Sequence, residues 1–198
     1  LFKVMERYAY NDLKKWKFSA SRRPLVLFGA RQVGKTWLLK EFGRRLYKNT
    51  AFISFDRDDA ACQLMLEEKS AAKLLRGLSA ITGIDIAPGE TLVILDEIQD
   101  CPVALTRLKA IAEDAPDYHV VACGSLLGIA LHEGISYPVG KVDEIYLYPM
   151  TFGEFLVANG KDKMQELLAL SDWSMINAIS KEYVDLLRQY YYVGGMPA

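Results

Sequence analysis

A short segment near the start of the chain has the residue types and the spacing to hold a polyphosphate. Its residues are Gly29, Ala30, Arg31, Gln32, Val33, Gly34, Lys35 and Thr36, which match the pattern Gly-x-x-x-x-Gly-Lys-Thr. An apolar run at residues 24–28 precedes the segment, and helical spacing follows it. A strand that ends in such a loop directs backbone N–H groups and a helix N-terminus at one point. In this context a loop that merely turns the chain is a weak alternative, and the pattern predicts a nucleotide-binding site.

Each residue type in this loop has a chemical reason to be there. Gly29 and Gly34 let the main chain turn around phosphates without a Cβ in the way. Lys35 can reach the β- and γ-phosphates, and the hydroxyl of Thr36 can ligate Mg²⁺. The expected nucleotide-binding residues are Gly29, Ala30, Val33, Gly34, Lys35, Thr36 and Trp37, and Lys35 is also expected to take part in catalysis.

A pair of carboxylates follows a second apolar run. Residues 92–95 are continuously apolar, as expected of a strand covered on both faces, and Asp96 and Glu97 come directly after them. Asp96 is expected to hold Mg²⁺ together with Thr36, while Glu97 is expected to orient or deprotonate the attacking water. Two acidic residues after a strand can also simply cap the next helix. That alternative is minor here, because ligands of doubly wound sheets bind at the strand ends.

Other candidate site residues are less firmly indicated. Ser125 follows the fourth predicted strand, and its hydroxyl is expected to contact the γ-phosphate or the water, although a simple turn serine is nearly as good an interpretation. Phosphoryl transfer also gains from a cation on the γ-phosphate. Arg31, Lys141 and Arg188 are the candidates, and the sequence does not choose among them.

The order of the elements predicts the fold. Hydrophobic spacing predicts strands at residues 24–28, 51–55, 92–95, 118–123 and 144–148, and helices at 4–18, 35–47, 58–82 and beyond Asp100. Residues 151–193 have helical spacing throughout. Strands alternating with helices, then helices alone, predict an α/β fold with a doubly wound parallel sheet and a helical subdomain. We place the core at residues 1–150 and the helical subdomain at 151–198.

The overall composition is that of an ordinary globular protein. Hydrophobic residues make up 51% of the 198 residues, and 24 Lys and Arg face 25 Asp and Glu. A protein that grips nucleic acid along a long surface would normally carry a positive field, which this balance does not supply. The basic residues between positions 14 and 23 are best read as a solvated helix face.

The cysteines and the hydropathy bear on the compartment. Cys62, Cys101 and Cys123 are odd in number and far apart, which favours free thiols in a reducing compartment over a disulfide framework or a zinc site. No apolar run is long enough to span a bilayer, so we expect a cytoplasmic protein without membrane contact. The chain starts without Met and stops soon after Gly194 and Gly195. We therefore expect a fragment of a longer protein.

These motifs together resemble those of the bacterial and archaeal AAA-type P-loop ATPases that are often joined to a C-terminal domain of unknown function called DUF4143. The matching segments are 29–36, 95–99 (Leu-Asp-Glu-Ile-Gln), Gly124-Ser125, 148–155 (Tyr-Pro-Met-Thr-Phe-Gly-Glu-Phe) and 192–197 (Tyr-Val-Gly-Gly-Met-Pro). They cover essentially the whole chain, and the Tyr-Pro-Met-Thr-Phe segment is particular to this group.

The resemblance implies a three-layer P-loop fold with strand order 5-1-4-3-2, bound ATP with Mg²⁺, and a further domain after Ala198. It also implies that Ser125 belongs to the sensor region beyond the fourth strand. The family usually has Gly-Arg before the fifth strand, where this chain has Gly140 and Lys141. A lysine there would carry the charge without the bidentate fork of an arginine.

Three functions fit the motifs. The leading hypothesis is an ATPase switch, in which Mg-ATP orders the helical part and an attached or partner domain and hydrolysis releases it. The second is a nucleic-acid motor, since residues 96–100 resemble the acidic motif of one helicase class; the short chain and the neutral charge balance count against it. The third is a small-molecule phosphotransferase, against which Glu97 and the lack of an arginine-rich lid argue. GTP is not favoured because no Asn-Lys-x-Asp motif is present, and a homo-oligomer stays open.

Overall fold

The computed structural model describes residues 7–124 and 138–196. Its strands are β1 (Leu25–Gly29), β2 (Asn49–Ser54), β3 (Thr91–Asp96), β4 (His119–Cys123) and β5 (Asp143–Leu147). The helices of the core are α1 (Ala9–Lys17), α2 (Lys35–Leu46), α3 (Asp59–Glu67), α4 (Ala71–Thr82) and α5 (Val103–Asp114), with a 3-10 turn at Ile98–Asp100. The later helices are α6 (Phe152–Ala158), α7 (Asp162–Ala169), α8 (Trp173–Ala178) and α9 (Ser180–Val193).

The strands form one parallel sheet in the order β2-β3-β4-β1-β5. This is the expected order 5-1-4-3-2 read from the opposite edge, and the α/β fold class is confirmed. Strands β1 and β3 are not neighbours, because β4 lies between them. Since all the strands are parallel, the carboxyl ends of β1, β3 and β4 lie at one edge of the sheet, where open α/β sheets bind their ligands.

Apolar side chains cover both faces of the sheet. On one face Val93, Leu95 and Ile53 pack with α3, α4 and α5, and on the other Leu92, Ile94 and Leu27 pack with α1 and α2. Every residue of β3 is buried, which explains why residues 92–95 are continuously apolar rather than alternating. The result is a three-layer core in which the strand that carries the carboxylate pair is held from both sides.

The expected single helix at 58–82 is wrong, because the structure has two helices there. Residue Glu68 is extended (φ −96°, ψ 133°), and its Oε1 accepts the N–H groups of Lys69 and Ser70, each at 2.8 Å. These N–H groups lie just before α4, so the side chain replaces the helical hydrogen bonds that a continuous helix would have made.

The expectation of free thiols is wrong for two of the three cysteines. Cys62 on α3 and Cys101 after the 3-10 turn form a disulfide, although 39 positions separate them in sequence. The packing of α3 beside the end of β3 brings their Cα atoms to 5.6 Å, a proximity that sequence spacing does not reveal. Cys123 is free, as expected, and it is buried. The cytoplasmic location rested partly on free thiols and stays a prediction.

The helices after β5 have a small apolar cluster of their own. Its buried members are Leu156, Met164, Ile176 and Tyr183. We call α6 to α9 the helical subdomain; its boundary at position 150/151 remains a prediction. Within the described ranges, no helix has the length and apolar character needed to cross a membrane.

Candidate functional site

The phosphate loop lies between the end of β1 and the start of α2, at the carboxyl edge of the sheet. A Cβ on Gly29 would lie 2.5 Å from the carbonyl oxygen of Leu147 on the neighbouring strand, so only glycine fits there. Gln32 and Gly34 have positive φ angles of 62° and 94°. Alternation of such residues with right-handed ones curls the main chain so that successive N–H groups face one concave side, which is an anion-binding geometry.

Lys35 lies inside the curve of this loop. It is 8% exposed, and its Nζ donates hydrogen bonds to the carbonyl oxygens of Gly29 (2.9 Å) and Ala30 (2.8 Å). Burial lowers the pKa of Lys35, while the negative charges of the nearby Glu97 and Asp96 oppose that shift. The ammonium is therefore a cation with little water around it, held at the mouth of the loop.

Asp96 and Thr36 meet across the gap between β3 and α2. The Thr36 hydroxyl donates to Asp96 Oδ2 at 2.8 Å, and Asp96 is only 4% exposed. The second carboxylate oxygen, Oδ1, accepts from the backbone N–H of Glu97 at 3.1 Å and from the Sγ of Cys123 at 2.9 Å. Burial, followed by the charge of Asp96, raises the pKa of the Cys123 thiol well above its usual value, so the thiol stays protonated and donates.

The donors present suit a magnesium ion that also binds a phosphate chain. Thr36 and Asp96 supply a hydroxyl and a carboxylate oxygen, the ligand types Mg²⁺ prefers. Among the described residues, no group of three or more His, Cys, Asp and Glu side chains converges to form a closed metal site. Mg²⁺ at nucleotide sites takes only one or two protein carboxylates plus phosphate oxygens and water, so the residues fit this ion.

Glu97 has a strained backbone and a held side chain. Its φ of 51° and ψ of 50° put a non-glycine residue in the left-handed region. The side-chain amide of Gln99 donates to Glu97 Oε2 at 2.6 Å. The other end of that amide, Gln99 Oε1, is buried without a hydrogen-bond partner within the described residues. The carboxylate therefore has a fixed direction one residue away from Asp96.

The remaining predicted site residues differ in their surroundings. Ser125 lies outside the described residues. Arg31 is exposed on the loop, Lys141 pairs with Glu113 at 2.8 Å, and Arg188 pairs with Asp185 at 3.3 Å. Lys141 and Arg188 are thus paired with local carboxylates, while Arg31 belongs to the phosphate loop itself and has an exposed side chain.

A cavity adjoins the first turn of α2. Its volume is about 330 Å³, and α1, α2 and the helical subdomain all contribute to its wall. Trp37, which is 39% exposed, lines it together with Tyr8, Val157 and Gln165. The expected binding residue Trp37 therefore faces a space of mixed polar and aromatic character next to the loop.

Comparison with protein families agrees with this geometry. The family model described as an AAA domain matches residues 21–156, which include the loop, the carboxylate pair and all five strands. The chain belongs to the AAA domain family. A search of curated proteins finds no match.

Two solved structures of similar fold are ORC proteins bound to DNA. The Aeropyrum pernix ORC1 protein in complex with DNA matches with a TM-score of 0.51 and 16% identity, over 80% of this chain and 49% of that one. Drosophila ORC bound to DNA matches with a TM-score of 0.55 and 17% identity, over 93% of this chain and 56% of that one. At these identities the likeness shows the fold alone. The AAA domain described here spans about half the length of those chains.

Sequence reasoning missed Arg7, which contacts the phosphate loop, and its partner Glu154. Arg7 donates to the carbonyl oxygen of Val33 in the phosphate loop at 2.9 Å, and it pairs with Glu154 at 3.1 Å. Glu154 had a sequence signal, since Thr151-x-x-Glu154 is a capping-box pattern at the start of a helix. Arg7 had none, because its partners lie 26 and 147 positions away.

Proposed function

We propose that this AAA domain binds ATP with Mg²⁺ and hydrolyses it. The observation that carries the proposal is the 2.8 Å contact between the Thr36 hydroxyl and the Asp96 carboxylate, beside the buried ammonium of Lys35. A phosphate loop that only turned the chain would not need a metal-binding pair and a desolvated cation at the same point. The Mg²⁺ ion would be held by Thr36 and, directly or through water, by Asp96, and would neutralise charge on the phosphates.

Lys35 would bind the β- and γ-phosphates. Its present partners, the carbonyl oxygens of Gly29 and Ala30, are neutral acceptors. Phosphate oxygens carry charge and make stronger hydrogen bonds to an ammonium, so they compete well for Lys35. The N–H groups of the loop and of the first turn of α2 would complete the cradle.

Glu97 would direct the water that attacks the γ-phosphorus and accept its proton as the bond to the ADP oxygen breaks. The hydrogen bond from Gln99 fixes the direction of the Glu97 carboxylate. A fixed carboxylate suits this role, since positioning supplies much of the catalysis in phosphoryl transfer. Ser125 remains the proposed contact to the γ-phosphate or the water.

The adenine base would occupy the cavity beside α2. Trp37 and Tyr8 offer aromatic surface there, and the cavity's 330 Å³ is comparable to a small-ligand site. Because helix α7 of the helical subdomain also lines this cavity through Gln165, a bound base would touch both parts of the domain. ATP binding would then favour one position of the helical subdomain, and hydrolysis would release it.

The domain would pass this change to a further C-terminal domain or to a second copy of itself. One support is that the two ORC chains are longer, since this chain matches only about half of each. The other is the exposed apolar surface of α9, where Tyr191 is 74% and Tyr192 92% exposed. An exposed surface of this kind is typical of a region that contacts a partner. A cytoplasmic location is part of the same proposal.

The alternative function is that of a DNA-associated ATPase. It is favoured by two structures of similar fold, the ORC proteins, which were solved with DNA. The experiment that separates the two measures phosphate release by the full-length protein with Mg-ATP, with and without duplex and single-stranded DNA, alongside its mass in solution. We expect turnover that DNA leaves unchanged. Stimulation that declines as salt rises would favour the alternative. Transfer of labelled phosphate to an acceptor, with little free phosphate, would contradict both.

A further inference from the structure

One buried guanidinium touches three separate parts of the chain. Arg7, 4% exposed, donates from Nη1 to the carbonyl oxygen of Val33 in the phosphate loop at 2.9 Å and from Nη2 to the carbonyl oxygen of Tyr148 after β5 at 2.5 Å. Its Nε donates to Glu154 Oε1 at 3.1 Å, at the start of the helical subdomain. A single side chain thus connects the phosphate loop, the residue that follows β5, and helix α6.

Glu154 fixes the other end of this contact. It is also 4% exposed, and its Oε1 accepts the backbone N–H of Tyr8 at 2.8 Å in addition to Arg7. Its Oε2 accepts the N–H of Thr151 at 2.7 Å, and the Thr151 hydroxyl accepts the N–H of Glu154 at 3.2 Å. Because this capping box sets where α6 begins, the carboxylate cannot shift without moving the start of the helix.

The bond from Arg7 to Val33 also sets the direction of a phosphate-binding N–H. The peptide between Val33 and Gly34 is planar and trans, so its C=O and N–H point to opposite sides. With the carbonyl held on the Arg7 side, the Gly34 N–H is directed away from Arg7.

A buried ion pair contributes little net stability to a protein. The free energy needed to desolvate two charges is about as large as their attraction, and apolar side chains of the same size stabilise a core equally well. Apolar side chains cannot orient a carbonyl group, however. The three directed hydrogen bonds of a guanidinium can, because its donors lie in a rigid plane.

We propose that Arg7 is a positioning residue for the nucleotide site, and that the Arg7–Glu154 contact links the direction of the Gly34 amide to the placement of the helical subdomain. This inference rests on the proposed ATP binding. Linkage is reciprocal: if one position of the subdomain increases the affinity for nucleotide, bound nucleotide stabilises that position by the same free energy. ATP is therefore expected to protect the amides of α6 from hydrogen exchange through this contact.

The test compares the double variant Arg7→Met with Glu154→Gln against the wild-type full-length protein. The double variant removes both charges together, so neither is left buried and unpaired, and its midpoint of thermal unfolding is expected to stay close to that of wild type. Its Kd for Mg-ATP, measured by calorimetry, is expected to rise roughly ten- to a hundredfold, because the loop carbonyl is no longer held. The protection of α6 on adding Mg-ATP is expected to disappear.

Two further variants keep the result interpretable. Arg22→Met is the matched control, since Arg22 also donates to two backbone carbonyls, of Lys17 and Pro116, away from the loop. It is expected to leave the Kd unchanged. Arg7→Lys keeps the charge opposite Glu154 but cannot serve three acceptors as a planar fork, and it should weaken Mg-ATP binding even if the double variant folds poorly.

The outcomes separate this inference from the proposed function. Wild-type affinity for Mg-ATP together with wild-type protection of α6, in both Arg7→Lys and the double variant, would overturn the positioning role and leave the proposed ATPase intact. Failure of the folded wild-type protein to bind Mg-ATP would overturn both. Weaker binding in both Arg7 variants, with Arg22→Met unchanged, supports the inference.

Discussion

The inner strand β3 and the helical subdomain differ in how much of their surface is buried. All residues of β3 are buried between helices on both faces of the sheet. In the helical subdomain the buried cluster has four members, while Leu170, Trp173 and Tyr192 are 77%, 64% and 92% exposed. The strand is held by packing from both sides, and the helical subdomain by a thin core and a few directed contacts.

The difference shows where rigidity and movement belong in this molecule. The groups proposed to hold Mg²⁺ and phosphate stand at the ends of strands whose positions the packing determines. Segments with few buried contacts open at lower free energy than the core, and moving parts of enzymes come from such segments. In the proposed function the helical subdomain is therefore the part that nucleotide would reposition, with Arg7 and Glu154 as its connection to the phosphate loop.

The largest effect is expected from removing the loop cation. Lys35→Ala should weaken Mg-ATP binding roughly a thousandfold, since the phosphates lose a desolvated charged partner. Turnover should be lost with it. Lys40→Ala is the control, because Lys40 lies on the same helix but is exposed and rests over the ring of Phe52. Calorimetry with Mg-ATP measures both variants, and near-normal affinity in Lys35→Ala would place the nucleotide elsewhere.

The next effect separates binding from chemistry within the rigid region. Glu97→Gln should keep Mg-ATP affinity and lower kcat by about 10²–10⁴, since the amide cannot take the proton from water. Asp100→Asn is the control, three positions further on and exposed to solvent. Single-turnover phosphate release measures the step directly. Hydrolysis by Glu97→Gln at the parental rate would mean that another group activates the water.

A pair of cavity variants compares the two regions directly. Ile94→Ala in β3 and Leu156→Ala in α6 each remove a fully buried side chain and should cost about 2–5 kcal/mol locally. Hydrogen exchange should show loss of protection throughout the chain for Ile94→Ala, but only within residues 152–193 for Leu156→Ala. Equal loss everywhere in both variants would show that sheet and subdomain unfold as one unit.

The smallest effect concerns acid and the sheet region alone. Burial, with added repulsion from Arg22 and Lys17, lowers the pKa of His119 to about 4, from 6.5. Between pH 6.5 and pH 4, His119 is protonated in the unfolded chain but not in the folded one. Its contribution to the free energy of unfolding is therefore complete above pH 6.5 and declines as the pH falls to 4. It amounts to at most about 3 kcal/mol.

The variant His119→Gln isolates this contribution. Glutamine can still bond to the hydroxyl of Tyr47, which lies 2.7 Å from His119 Nδ1, but it does not titrate. Urea denaturation at several pH values should give a free energy of unfolding that declines more steeply below pH 6.5 in wild type than in the variant. Parallel curves would show that His119 is protonated in the folded protein as readily as in the unfolded one. The chain has no histidine after position 132, so this acid effect does not reach the helical subdomain.

Much of the fold, and the places of the phosphate loop and of the carboxylate pair in it, could be predicted from local patterns. Residue type and spacing alone identify two segments, the loop at residues 29–36 and the apolar run that ends in Asp96 and Glu97. They can be recognised because the residues of each segment are neighbours in sequence. The strand order came from the family resemblance. The break at Glu68 was missed because a side chain there competes with the helix for backbone N–H groups. The Cys62–Cys101 disulfide and the Arg7 contacts were missed because they join distant segments.

By itself the sequence predicted which residues could bind phosphate and magnesium, since glycine, lysine, threonine and aspartate carry that chemistry in their own atoms. It also determined the alternation of strands and helices through the period of its apolar residues. Only the tertiary structure decided that Thr36 and Asp96 meet, that Cys123 donates to the same carboxylate, and that Arg7 joins the loop to α6. Those contacts depend on the distance between chain segments, which is set by packing against the whole core and not by any local pattern.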